Sequence, residues 1–191
     1  MHLAKWIQYR ADAALERDKQ RGAESMQLPS DEVKLLRSLV GRKADRIIVP
    51  MPSDSLSKPV EAVIVLSSGK GVLIDSCFRV QRAVETSKQY PQMRVRMIKT
   101  IPEYPNGHTI ELSQYDGEII TSVEVTSEDV HTPTEIAAYT KAIHIEFSGA
   151  REVTITRQTY RTPSLDVFEK RTDPMINYEP NASVTQTVQT F

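Results

Sequence analysis

Ala62-Val63-Ile64-Val65-Leu66-Ser67-Ser68-Gly69-Lys70-Gly71-Val72-Leu73-Ile74-Asp75-Ser76-Cys77-Phe78 sets two apolar, β-branched runs on either side of five small or polar residues. Runs of that length bounded by turn formers are strands, so residues 67–71 join 60–66 to 72–78 as a hairpin. A fainter echo of the pattern recurs downstream. Gly41 is followed by Ile47, Val49, Ala62, Val63, Val65, Gly69, Val72 and Ile74; Gly117 is followed by Val123, Val125, Ala142, Ile143, Ile145, Gly149, Val153 and Ile155. Residues 41–75 and 117–156 thus read as two copies of a strand plus a hairpin, the second with a longer central loop. A unit of about 40 residues does not bury its own apolar face, so the copies are expected to share one core.

The expected fold is α+β and mainly β. Helices at 3–20 and 30–40 precede β repeats at 41–78 and 117–160, packed as a sandwich or a partly open barrel. Residues 1–170 form one globular domain, and 171–191 form an extended C-terminal tail. Leu3, Trp6, Ile7, Arg10, Ala13 and Ala14 fall at helical spacing, and Gly22 ends that pattern. Pro29-Ser30-Asp31-Glu32 starts the second helix, with Ser30 as cap, Val33, Leu36, Leu39 and Val40 as its buried stripe, and Gly41 just past its end. Pro50, Pro52 and Pro59 exclude the segment between the first two strands from a sheet interior.

The 191 residues carry a formal net charge of −1, which supplies no general attraction to nucleic acid or anionic lipid. Charge is nonetheless segregated. Residues 79–99 hold six basic side chains against one acid, whereas 103–135 hold eight acids and no lysine or arginine. Met93-Arg94-Val95-Arg96-Met97-Ile98-Lys99 alternates, so a strand there buries Met93, Val95 and Met97 and presents Arg94 and Arg96 on the opposite face. Mutual neutralisation of the two stretches across neighbouring strands is the simplest account. Arg94, Arg96 and Lys99 are the candidates for holding an anion, and Tyr90 or Tyr104 for stacking on a base.

Chemistry-bearing motifs are sparse. Residues 67–71 resemble a phosphate-binding loop in composition, but a strand follows where such a loop needs a helix. His2, His108, His131 and His144 form no metal-binding pair, and no metal or cofactor is called for. His131 sits near Glu128, Asp129 and Glu135, read as a solvated loop; His144 is a strand-surface histidine that becomes interesting only beside a carboxylate across the sheet. No nucleophile motif is present, and the single Cys77 permits no internal disulfide. The absence of a signal-like or membrane-length apolar run gives an expectation of cytoplasmic localisation without membrane association, and makes Asn181-Ala182-Ser183 a chance sequon.

Two elements suggest docking instead. Trp6, Ile7 and Tyr9 lie on the first expected helix, and Val184-Thr185-Gln186-Thr187-Val188-Gln189-Thr190-Phe191 is a strand without a charged side chain, in which Val184, Val188 and Phe191 are the apolar contacts. The leading expectation is a non-catalytic binding or interaction protein, acting as a homo-oligomer or a complex subunit. A small-molecule-binding protein or enzyme acting on an anionic, phosphorylated ligand is the second, and nucleic-acid binding the third.

Overall fold

The computed structural model describes residues 24–51, 59–78, 91–112, 117–133, 136–157, 159–173, 178 and 180–191. The expected helix at 3–20 lies outside them. In chain order the elements are β1 (Glu24–Met26), α1 (Ser30–Arg37), β2 (Lys43–Val49), β3 (Glu61–Leu66), β4 (Gly71–Phe78), β5 (Pro91–Ile98), β6 (His108–Glu111), β7 (Glu118–His131), β8 (Ile136–Phe147), β9 (Glu152–Thr156), β10 (Asp166–Phe168) and β11 (Ser183–Thr190). All eleven strands belong to one hydrogen-bonded sheet, ordered β10-β9-β8-β7-β2-β3-β4-β5, with β1 on β8, β6 on β2 and β11 on β7. Every pairing is antiparallel except the short β1–β8 contact. The sheet does not close into a barrel. Its two halves nevertheless share a core, in which Ile47, Ile64, Ile74 and Val95 meet Val123, Ile143, Ile145 and Ile155 together with Leu36 and Leu39. One apolar face on each half is thereby buried against the other.

The β3–β4 and β8–β9 hairpins close alike. Leu66 N–H donates to Lys70 O at 2.9 Å and Gly69 N–H to Leu66 O at 2.9 Å; Phe147 N–H donates to Arg151 O at 2.9 Å and Ala150 N–H to Phe147 O at 3.1 Å. Gly69 (φ 81°) and Ala150 (φ 59°) occupy the left-handed position of a three-residue turn. The sequence pattern matches Gly69 with Gly149, whereas these bonds match it with Ala150, one residue further on. Counted from the turn, Ile64 therefore stands where Ile145 does and Ala62 where Ile143 does, all in the shared core. Val63 and Val65 stand where His144 and Glu146 do, on the other face. The alternating run around Ile143 and Ile145 fits two frames, and only the turn decides between them. The pairings of β2–β3 and β7–β8 also run in step, including a bulge between Ala44 and Arg46 and another between Ile120 and Ser122. The starts of β2 and β7 pair with each other, Lys43 opposite Ile119.

Three local expectations are corrected. Ser30 is the first helical residue and Pro29 the cap; its ring fixes φ at −58° ahead of the helix but carries no polar atom, so there is no side-chain capping bond. Leu36 and Leu39 are fully buried, but Val40 is 38% exposed, since α1 ends at Arg37 and a turn at 38–40 rotates Val40 off the stripe. Residues 128–131 belong to the strand β7 rather than to a loop, with Glu128 and Val130 buried on one face.

Candidate functional site

β11 lies on β7 in unbroken register from Ser183 opposite His131 to Thr190 opposite Glu124. Its eight residues are all exposed, Val184 at 38% and Val188 at 47%. Val123 and Phe191 exchange both backbone hydrogen bonds, at 3.3 and 2.9 Å. Antiparallel pairing alternates, so Gln189, Thr187, Thr185 and Ser183 bond inward to β7, while Thr190, Val188, Gln186 and Val184 turn N–H and C=O outward. No strand occupies that outer edge among the described residues. Phe191 is half-buried, packed on the shared core with the Arg37 guanidinium 5.9 Å from its ring. Trp6, Ile7 and Tyr9 lie outside the described residues.

The other strand edges are short or covered. Glu32 of α1, itself buried, accepts the Val95 N–H of β5 at 2.7 Å. β6 has four residues, and Arg151 donates to its Glu111 carbonyl at 2.5 Å; β10 has only three.

Arg94 and Arg96 share the face the alternation assigns them, with Met93 and Val95 buried on the other. Both guanidiniums are engaged by acids: Arg94 Nε meets Glu32 at 2.5 Å, and Arg96 Nη2 meets Asp75 at 2.8 Å. The hydrogen bond that Arg94 donates to Glu32 holds the Arg94 pKa above its ordinary value, whereas burial pushes the Asp75 carboxyl up despite both arginines. Lys99 is exposed just beyond β5.

Sequence reading missed two polar groups on β7–β9. In the first, Glu128 Oε1 accepts from Lys141 Nζ at 2.8 Å, and Oε2 accepts from Tyr139 at 2.6 Å and from Tyr178. Lys141 also reaches Asp173 at 2.8 Å. Burial works against the lysine's charge, but the hydrogen bonds to Asp173 and Glu128 outweigh it and raise its pKa. Beside this group Arg157, fully buried, donates to Pro91 O at 2.8 Å and Tyr160 O at 3.1 Å, tying the end of β9 to the start of β5. Burial brings its pKa down to about 10.

In the second group, β8 and β9 set Glu146 opposite Glu152 and His144 opposite Thr154, and β7 sets Glu124 opposite His144. The segment after β10 crosses over them. Arg171 N–H donates to Glu152 at 3.0 Å, and its guanidinium bonds Glu124 at 2.6 Å. His144 Nδ1 is 3.0 Å from Thr154 Oγ1, whose own proton goes to Lys170 O at 2.9 Å. Burial, helped by Arg171, lowers the His144 pKa against the pull of the glutamates.

Comparison of the chain with protein-family models, curated proteins and solved structures finds no match. No helix among the described residues is long and apolar enough to cross a membrane.

Proposed function

We propose that the chain is a non-catalytic interaction protein that associates with a second copy of itself through the outer edge of β11. The observation that carries this reading is the contrast between edges. A long, flat, uncharged edge is a template for strand addition, and proteins usually blunt such edges with charge, proline or a covering element. β5 is covered by α1 and Glu32, β6 and β10 are short, and among the described residues β11 has none of these protections along its eight residues.

The strand is complementary to itself. Antiparallel pairing about a twofold axis at Gln186 sets Gln186 against Gln186, Val184 against Val188 and Thr185 against Thr187. Every residue that must bond across the axis is one whose amide already faces outward. Two valine pairs then cover each other on one face, and no charges confront each other. The sheet of one chain continues into that of the next as an isologous dimer.

The same reading includes the proposal that the fold is built from two related five-stranded units. Support comes from the paired hairpin turns, the matching bulges, and the corresponding positions of β5 with β10 and of β6 with β11. Arg94 and Arg96 serve as edge and surface counter-ions in this account, which leaves the anionic-ligand reading without a carrying observation.

The test is native mass spectrometry of the full chain beside two proline variants. Gln186→Pro removes an outward N–H and spares the β7 ladder; Thr187→Pro removes an inward one. The reading expects a species of twice the 21.6 kDa chain for wild type and a folded monomer for Gln186→Pro. A monomeric wild type, or a Gln186→Pro variant that dimerises as wild type does, refutes the interface. A complex of wild type with a different protein would replace the second copy as occupant.

A further inference from the structure

We propose that His144, Glu146 and Glu152 bind a divalent transition-metal cation, Zn²⁺ or Mn²⁺, through imidazole Nε2 and one oxygen from each carboxylate. The three donor atoms lie within 4.8 Å of one another. His144 is 5% exposed and its Nε2 is buried without a hydrogen-bond partner, 3.8 Å from Glu146 Oε1.

The tautomer follows from the surrounding bonds. Thr154 has one hydroxyl proton and gives it to Lys170 O, so towards His144 it acts as an acceptor, as it does towards the Thr172 N–H at 3.1 Å. The neutral ring therefore carries its proton on Nδ1 and its lone pair on Nε2. That lone pair faces two carboxylates. Three electron-pair donors converge there, and a cation among them would be attracted by all three. Arg171 stands at the rim of the group: its guanidinium bonds Glu124 at 2.6 Å and makes a longer ion pair with Glu146 at 3.8 Å, which leaves the His144 Nε2 without a partner. The Thr154 hydroxyl behind Nδ1 is the orienting partner that metal-bound histidines characteristically have. The imidazole among the donors favours Zn²⁺ over Ca²⁺ and Mg²⁺, which prefer oxygen alone, and the two carboxylates also suit Mn²⁺.

The other half of the sheet shows that the scaffold does not require these residues. Counted from the matching turn, the places of His144, Glu146 and Thr154 are taken in β3 and β4 by Val63, Val65 and Leu73, and that of Glu124 in β2 by Ile48. There the residues form a small apolar cluster with Ile98, Ile101 and Tyr104. An apolar patch is the less costly way to cover this face, and burying a histidine beside acids calls for a compensating ligand. Glu146 is half-buried, which leaves a route for the ion to enter.

The experiment is calorimetric titration of the chelator-treated full chain with Zn²⁺ and Mn²⁺, accompanied by the visible spectrum of bound Co²⁺. Wild type should bind one ion per chain and gain thermal stability with it. His144→Val, which installs the residue found at the matching position, should fold and lose the site. Thr154→Ala should weaken binding about 10- to 100-fold by loosening the imidazole. Glu152→Gln, which keeps its shape and its bond from the Arg171 amide, checks the carboxylate should the valine variant misfold, and it too should weaken binding. Absence of saturable binding to wild type overturns the assignment, as does binding that His144→Val and Glu152→Gln leave unchanged.

Discussion

Replacing Lys141 with Met leaves the Glu128 carboxylate buried without its cation. The two side chains are 6% and 4% exposed and meet at 2.8 Å, so little water is available to take over. Orphaning one member of a buried ion pair typically costs about 3–5 kcal/mol. Two phenol donors remain on Glu128, from Tyr139 and Tyr178, which places the expected loss near the lower figure, about 3 kcal/mol. With a urea slope of about 2 kcal/mol/M, the unfolding midpoint of Lys141→Met should fall by about 1.5 M. Removing both charges should be far less damaging. In Glu128→Leu/Lys141→Met no charge is stranded, and the two tyrosine oxygens, already 2.6 Å apart, can bond each other. The double variant should lie within about 1–2 kcal/mol of wild type. Equilibrium urea unfolding at pH 7, followed by circular dichroism on all four proteins, completes the cycle. A single-variant loss below about 1 kcal/mol, or a double variant as unstable as the sum of the singles, would refute the description of the pair as buried and coupled.

Turn positions give a second set of expectations. Gly117→Ala forces a side chain into φ 65° with its Cβ 2.7 Å from Asp45 Oδ1 and from Ser67 Oγ, and should cost more than about 2 kcal/mol. Gly69→Ala meets open space at φ 81° and should cost only about 1 kcal/mol, while Ala150→Gly, which relieves a left-handed alanine, should be neutral or stabilising by about 0.5 kcal/mol; thermal unfolding ranks all three. Burial, reinforced by Glu61, pushes the Tyr104 pKa up to about 12, and Tyr139 is raised by burial and by Glu128. A raised folded-state pKa gives stability that is complete below the ordinary value of 10 and is lost as pH climbs through the folded value. Phenolate absorbance should therefore lag behind that of the urea-unfolded chain above pH 10 and rise together with alkaline unfolding. Asp75 is raised as well, mainly by burial, and its Oδ1 has no hydrogen-bond partner. Its contribution is present below pH 3.8 and is lost as pH rises through its folded value, so Asp75→Asn should gain stability relative to wild type on going from pH 3.5 to pH 7 in urea titrations.

Much of the β architecture is legible in short-range pattern. The β3–β4 hairpin, the alternating faces of β5 and the helix preceding β2 follow from local periodicity and turn residues, which is information the chain carries within a few positions. What escapes depends on single-residue offsets. Ala150 adopts the turn conformation that sequence reasoning gives to Gly149, because hydrogen bonds across the hairpin outweigh the modest cost of a left-handed alanine. That shift moves His144 and Glu146 to the face of Val63 and Val65. His144, Glu146 and Glu152 match no linear motif, since two are alternate residues on one strand and the third faces them across a turn. Glu128 and Lys141 are likewise joined only by the β7–β8 register, past a bulge at Thr126 and Ser127. A sequence search for paired hairpins with acids flanking the turn and a histidine two residues inward would find the first group.

Disulfide trapping at Gln186 tests the self-association most directly. In the proposed twofold pairing the two Gln186 residues oppose each other, with Cα atoms about 5.5 Å apart, inside the range a disulfide spans. Gln186→Cys in a Cys77→Ser background, which removes the exposed native thiol, should convert to a covalent dimer under mild oxidation at micromolar concentration. Val184→Cys in the same background should not, because the two copies of residue 184 lie four residues apart along the paired strands, beyond reach. Selective trapping at 186 is the predicted result. Failure to trap at 186, or equal trapping at 184 and 186, would contradict the edge-to-edge dimer.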